Sequence, residues 1–244
     1  MKRRIQVSLV IPTYNRLMKL FQLLKSLNRL TPLPDEVIII DDHSKDQTPD
    51  LLKRWKHLDN GICKKIVLKD ENRGPAHSRN IGIELASNKL VAFVDDDVVI
   101  KSDWVAKITS PLSNAHKNLV GVGGVVKAFK RHIISQYYVI HNILEAPIQL
   151  NYLPTVNCCF KKEHLMEVGG FDDNFLFAGG EDTDLCLRLK KRGFFFDKVQ
   201  DAIVYHDFSQ NFIDFCQTWL RYGKGTHLAI HNLRRDSPDK VVFS

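Results

Sequence analysis

Three adjacent aspartates, Asp95-Asp96-Asp97, close the apolar run Leu90-Val-Ala-Phe-Val94. Neighbouring carboxylates repel one another. A hard divalent ion such as Mg²⁺ or Mn²⁺ prefers oxygen ligands, relieves that repulsion and can hold a diphosphate at the same time. A solvated acidic turn would look the same in isolation. Asp41-Asp42 follows Val37-Ile-Ile-Ile40, where a carboxylate can accept a hydrogen bond from a base N–H or a ribose hydroxyl. Helix capping is an equal reading for Asp42 and Asp46. Glu181-Asp182-Thr183-Asp184 follows Gly179-Gly180. A carboxylate fixed at a helix start beside flexible glycines suits a general base that deprotonates a hydroxyl. Asp184 is spaced i, i+4 from Arg188 and reads as helix support.

These clusters need elements that bring them together. Ile5–Ile11, Val37–Ile40, Ile66–Leu68 and Leu90–Val94 read as strands, and helical spacings lie between them, as in Leu17, Leu20, Phe21, Leu24 and Leu27. The β-α-β-α-β-α-β order predicts an α/β fold with a doubly wound, mostly parallel central sheet and helices on both faces. Ligands of such sheets bind outside the carboxyl ends of the strands. Thr13-Tyr14-Asn15-Arg16, Asp41-Asp42 and Asp95–Asp97 would then open onto one edge.

The later sequence is less regular. Val120–Val126, Phe194–Phe196 and Ala202–Tyr205 read as strands, with His206 after the last of them. Residues 129–152 give no clear signal and read as a helical insert or a mobile loop, and residues 211–233 read as one or two helices interrupted at Gly223-x-Gly225. The expectation is a single domain over 1–244. It comprises a nucleotide-binding half (1–120), an acceptor and catalytic half (121–210) and a helical tail (211–244).

Composition narrows the function. The net charge is +7, with the excess of Lys and Arg in the first 120 residues, but no basic-aromatic stripe argues for nucleic acid. Five cysteines with no C-x-x-C pair read as reduced thiols. The basic start leads into an apolar stretch too short for a signal peptide, so the expected compartment is the cytoplasm. Absence of G-x-G-x-x-G after the first strand and of a P-loop weakens NAD and P-loop nucleotide readings.

The ordered stretches Ser8–Arg16, Glu36–Ser44, Asn72–Asn80, Phe93–Asp97, Val168–Asp172 and Gly180–Asp184 together resemble glycosyltransferase family 2, the inverting enzymes of GT-A fold. The resemblance covers roughly residues 5–206. It implies transfer of a sugar from a nucleotide diphosphate, UDP before GDP or dTDP, to a hydroxyl of a glycan or lipid-linked acceptor. Pro12, Thr13, Tyr14, Asn15, Arg16, Asp41, Arg73, Gly74, Arg79, Asp95 and Asp96 would bind the donor. Asp97, Asp95 and His206 would hold Mg²⁺ or Mn²⁺, and Asp182 would be the catalytic base. Gly180, Glu181 and Asn157 would lie on the acceptor side. The chain lacks the Gln-x-x-Arg-Trp motif of processive relatives, so single addition is expected. A non-catalytic nucleotide-sugar-binding subunit is the first alternative and a sugar-nucleotide pyrophosphorylase the second. Phe212, Phe215, Trp219 and Leu220, with Arg221, Lys224, Arg234 and Arg235, leave peripheral membrane contact open beside ordinary helix packing.

Overall fold

The computed structural model describes residues 4–113, 117–147 and 151–235. Its first half follows the expected alternation: β1 (Arg4–Thr13), α1 (Leu17–Leu27), β2 (Leu33–Asp41), α2 (Thr48–Lys56), β3 (Cys63–Leu68), α3 (Gly74–Leu85) and β4 (Leu90–Val94). Then come β5 (Val98–Ile100), α4 (Trp104–Ser113), β6 (Leu119–Ala128), α5 (Ile133–Ile140), β7 (Asn157–Lys161), α6 (Lys162–Glu167), α7 (Glu181–Lys191), β8 (Phe195–His206) and α8 (Phe212–Arg235).

The strands form one eight-stranded sheet in the order β3-β2-β1-β4-β7-β6-β8-β5. Strands β3, β2, β1 and β4 are mutually parallel. The sheet becomes mixed beyond them, because β7 runs antiparallel to both β4 and β6, and β5 antiparallel to β8. Helices cover both faces, and strand alternation assigns the side chains. Leu9, Ile11, Val37 and Ile39 pack with Leu20, Leu23, Leu27, Trp55, Trp104 and Ile108. Val10, Ile38, Ile40 and Phe93 pack with Ala76, Ile83, Leu165, Leu185 and Leu189 on the other face. The continuous apolar runs are those of strands buried on both sides.

Four features depart from the sequence reading. Strand β7, Asn157-Cys-Cys-Phe-Lys161, has neither β-branched residues nor alternation; it is held as a strand by neighbours on both edges. Strand β8 is continuous where two short strands are expected, because β6 pairs with it on either side of an irregularity at Gly123/Val125. Residues 129–152 contribute α5; their positions 148–150 lie outside the described residues. Finally, α8 runs unbroken through Gly223 and Gly225. Gly225 stays helical because it packs against Gly179 and Gly180, and a Cβ there would sit 1.6 Å from the Gly179 carbonyl oxygen.

Candidate active site

Thr13 and Asp41 are register partners at the ends of β1 and β2, and β4 lies parallel to β1 on its other side. The loops after these strands therefore share one edge of the sheet. Two non-glycine residues there have left-handed backbones, Asn15 (φ 50°) and His43 (φ 67°). Such conformations are uncommon outside glycine. Reciprocal bonds lock the loops: Asn15 N–H donates to Ser44 Oγ (2.8 Å), and Lys45 N–H to Asn15 Oδ1 (2.7 Å).

The aspartate triplet divides among three sets of partners. Asp95 accepts from Arg79 (2.8 Å), and Asp96 from the Thr13 hydroxyl (2.7 Å). Asp97 meets Arg16 (2.9 Å), Lys19 (3.4 Å) and His206 (3.1 Å). Burial drives the titrations apart. It raises the Asp95 carboxyl against the opposing Arg79 charge. It pushes Asp96 up to about 7, together with the negative charge of Asp97, against Arg16 and Thr13. At Asp97 burial acts upward too, but His206, Arg16 and Lys19 outweigh it and hold the carboxyl well below the usual carboxylate range.

His206 reaches this group through strand pairing. Val98 is the register partner of His206, and Asp207 N–H donates to the Asp97 carbonyl (2.9 Å). The His206 Nε2 to Asp97 Oδ1 separation of 3.1 Å is close to the roughly 3 Å between adjacent ligands each about 2.1 Å from an octahedral ion. That spacing is compatible with both side chains turning to one divalent ion. Asp95 is bound toward Arg79 instead. Among the described residues no group of three or more His, Cys, Asp or Glu is placed to hold an ion, so the structure does not bring the expected trio Asp95, Asp97 and His206 together as ligands.

Opposite the triplet stands the start of α7. Gly180 is left-handed (φ 93°), and a Cβ there would meet the Gly225 backbone at 2.4 Å. That close approach fixes where α7 begins. Glu181 is buried, receives Gly179 N–H (2.6 Å) and is bridged by Arg79 (2.9 Å). The fully enclosed Arg79 guanidinium therefore ties Asp95 to Glu181. Asp182, half-buried, accepts from Thr183 N–H (2.8 Å). Burial and the Glu181 charge push its carboxyl up to about 7, against the pull of Arg79. A carboxyl poised there can accept a proton near neutral pH.

A cleft of about 1050 Å³ lies at this edge. Of the expected residues, Pro12, Thr13, Tyr14, Arg16, Gly74, Arg79, Asp95, Asp96, Asp97 and His206 line it. Asn15, Asp41, Arg73, Gly180, Glu181 and Asp182 stand outside its lining. Asn15 braces the loops, and Arg73 lies 3.8 Å from both Glu71 and Asp173. Asp41 is turned into its own loop, where it accepts from the Ser44 hydroxyl and, at 3.1 Å, from Ser44 N–H. Its neighbour Asp42 lines the cleft instead, accepting from Arg73 N–H (3.0 Å), Gly74 N–H (2.8 Å) and Lys69. Asn157 does not line the cleft. Its carboxamide is spent inside the sheet on Trp104 Nε1, Val125 O and Ala202 O. Lys19, Lys130, Tyr138 and Tyr222 also line the cleft. Of these, only Lys19, about one turn beyond Arg16, carries a signal readable in sequence.

The model of glycosyl transferase family 2 matches residues 8–169. The pre-mycofactocin glycosyltransferase of Mycobacterium tuberculosis is 27% identical over 97% of this chain; the chain spans 49% of that relative's length. Among solved structures, the mannosyltransferase PcManGT from Pyrobaculum calidifontis, in complex with GDP-Man and Mn²⁺, superposes with a TM-score of 0.68. It is 22% identical, with 86% of this chain and 59% of that one covered. S. aureus TarS 1-349 in complex with UDP-GlcNAc gives 0.65 at 19% identity, covering 85% and 60%. The fold is GT-A-like, and the chain belongs to glycosyl transferase family 2.

Proposed function

We propose that this chain is an inverting glycosyltransferase that moves one sugar from a nucleotide-diphosphate donor, a UDP-sugar first, onto a hydroxyl of a glycan or lipid-linked acceptor. The observation that carries this reading is the cleft with Asp95–Asp97 on one wall and the Arg79-bridged start of α7 behind the other. Residues 1–120 supply most of the nucleotide side, with Thr13 and Asp96 at the ribose end and Arg16 and Lys19 at the phosphates, and Lys130 joins them from the second half. Mg²⁺ or Mn²⁺, held by Asp97 and His206, would offset negative charge on the diphosphate. PcManGT was solved with Mn²⁺, which supports the same choice here.

Asp182 accepts the proton of the acceptor hydroxyl as that oxygen forms its bond to the anomeric carbon and the diphosphate leaves from the opposite face. Arg79 holds the α7 start in place. The positive charges of Arg16 and Lys19 favour the departing diphosphate more than the neutral glycoside, so they act where charge develops. The direct test is Asp182→Asn. Transfer or slow donor hydrolysis should fall about 10²–10⁴-fold, while affinity for the nucleoside diphosphate stays within about twofold. Near-normal turnover would remove Asp182 from the base role.

A further inference from the structure

Two helices at the cleft mouth leave apolar stripes uncovered. On α5, Ile133 (90% exposed), Tyr137 and Ile140 (70%) recur at i, i+4 and i+7. On α8, Phe212 (69%), Ile213, Trp219 and Leu220 (67%) fall within about 120° of arc at 3.6 residues per turn. The stripes meet at Tyr137 and Trp219, both partly exposed, whose ring centroids are 6.1 Å apart; Phe215 wedges against Tyr137 at 5.5 Å. The same helices give Ile134, Tyr138, Phe215, Arg221 and Tyr222 to the cleft lining. The patch therefore frames the opening through which an acceptor must enter.

The charge around the patch is mostly positive. Lys127, Lys130 and Arg131 lead into α5; Asp207 lies 3.6 Å from Lys130, and the next acid along the chain, Glu145, is buried and paired with Lys198. Along α8 Arg221 and Lys224 follow the stripe, with Asp214 the one acid among residues 212–233. A two-fold dimer would set this patch against its own copy and bring like charges together. An anionic bilayer would neutralise the cations while burying the apolar stripes. Helix α8 cannot itself serve as a span, since no helix among the described residues is long and apolar enough to cross a membrane.

We propose that the α5–α8 rim docks on an anionic lipid surface and presents the cleft to an acceptor embedded in that surface. This deepens the transferase reading, on which it depends only for the identity of the acceptor. The test is flotation of the full chain with vesicles of phosphatidylcholine alone or of phosphatidylcholine with phosphatidylglycerol, beside donor hydrolysis in solution. The expected result is binding to the anionic vesicles, weakened by salt. Partitioning should fall roughly tenfold or more in Ile133→Ser/Ile140→Ser and in Phe212→Ser/Leu220→Ser. Hydrolysis should be unchanged in both, because none of these side chains lines the cleft.

Undiminished binding by the combined quadruple variant would overturn the proposal. So would absence of binding to either vesicle, or a concentration-dependent dimer that the same substitutions dissolve without any vesicle binding. If the parent chain floats with anionic vesicles but neither hydrolyses nor transfers a donor sugar, the docking surface stands and the transferase reading fails.

Discussion

Arg79 shows how much one buried side chain can decide. Its guanidinium bonds Asp95 on one side and Glu181 on the other, and its Nε has no hydrogen-bond partner among the described residues. Removing one member of a buried ion pair strands the rest, at about 3–5 kcal/mol. Arg79→Met should therefore cost roughly 3 kcal/mol in denaturant unfolding, and Arg79→Lys visibly less. A stability loss alone would not distinguish a scaffold from a positioning residue, but the pH profile does. As the proposed base, Asp182 would work only when deprotonated, so kcat/KM should climb through about pH 7 and level off above it. Arg79 favours the charged form of Asp182; its loss should move that limb to higher pH, and Lys should restore it. An unmoved limb in Arg79→Met would leave Arg79 without influence on the base. At this scale the sequence shows which residues matter better than it shows their partners. Asp95–Asp97 and Glu181-Asp182 stand out as runs. That Asp95 turns to Arg79 while Asp97 turns to His206, or that Asp42 rather than Asp41 lines the cleft, depends on loop geometry that spacing does not carry.

Elements explain how those loops are aimed. The contact between α8 and the α7 start rests on backbone against backbone at Gly225 and Gly179–Gly180. Gly225→Ala forces these apart. It should cost about 1–3 kcal/mol and lower turnover by displacing Asp182. Gly223, two residues earlier, has open space where its Cβ would go. Gly223→Ala should stabilise the chain by about 0.5–1 kcal/mol through helix propensity alone. Thermal unfolding of the two variants checks the contrast, and equal effects would refute the contact argument. Strands β2, β1 and β4 were legible because burial on both faces demands apolar runs, whereas β3, exposed or half-buried along its length, showed only in its second half, Ile66–Leu68. Strands β5 and β7 were not: one is three residues long, the other lacks any β-type pattern, and both exist because of their neighbours. The glycines of α8 looked like a break because the reason for them lies on another helix.

For the whole molecule, the cleft walls come from both halves of the chain. Donor binding should therefore stabilise the folded protein as a unit. At about 100 times its Kd, a nucleoside diphosphate adds about 2.7 kcal/mol, which for a chain of this size raises the melting temperature by roughly 5–10 °C. A thermal-shift series of UDP, GDP and dTDP, each with and without Mn²⁺, should show the largest rise for the correct base with metal present. Metal-independent shifts of equal size would argue against the Asp97–His206 pair as its holder.

The β5–β8 pairing that brings His206 to Asp97 has a further consequence in time. Asp97 belongs to the early chain, but its imidazole partner arrives only when the last strand has been made and has docked beside β5. A chain still being synthesised thus carries all three aspartates before half of the proposed ion-binding pair exists. On the proposed reading, competence for a diphosphate is deferred by covalent order, and strand β8 acts as a completion signal for the site.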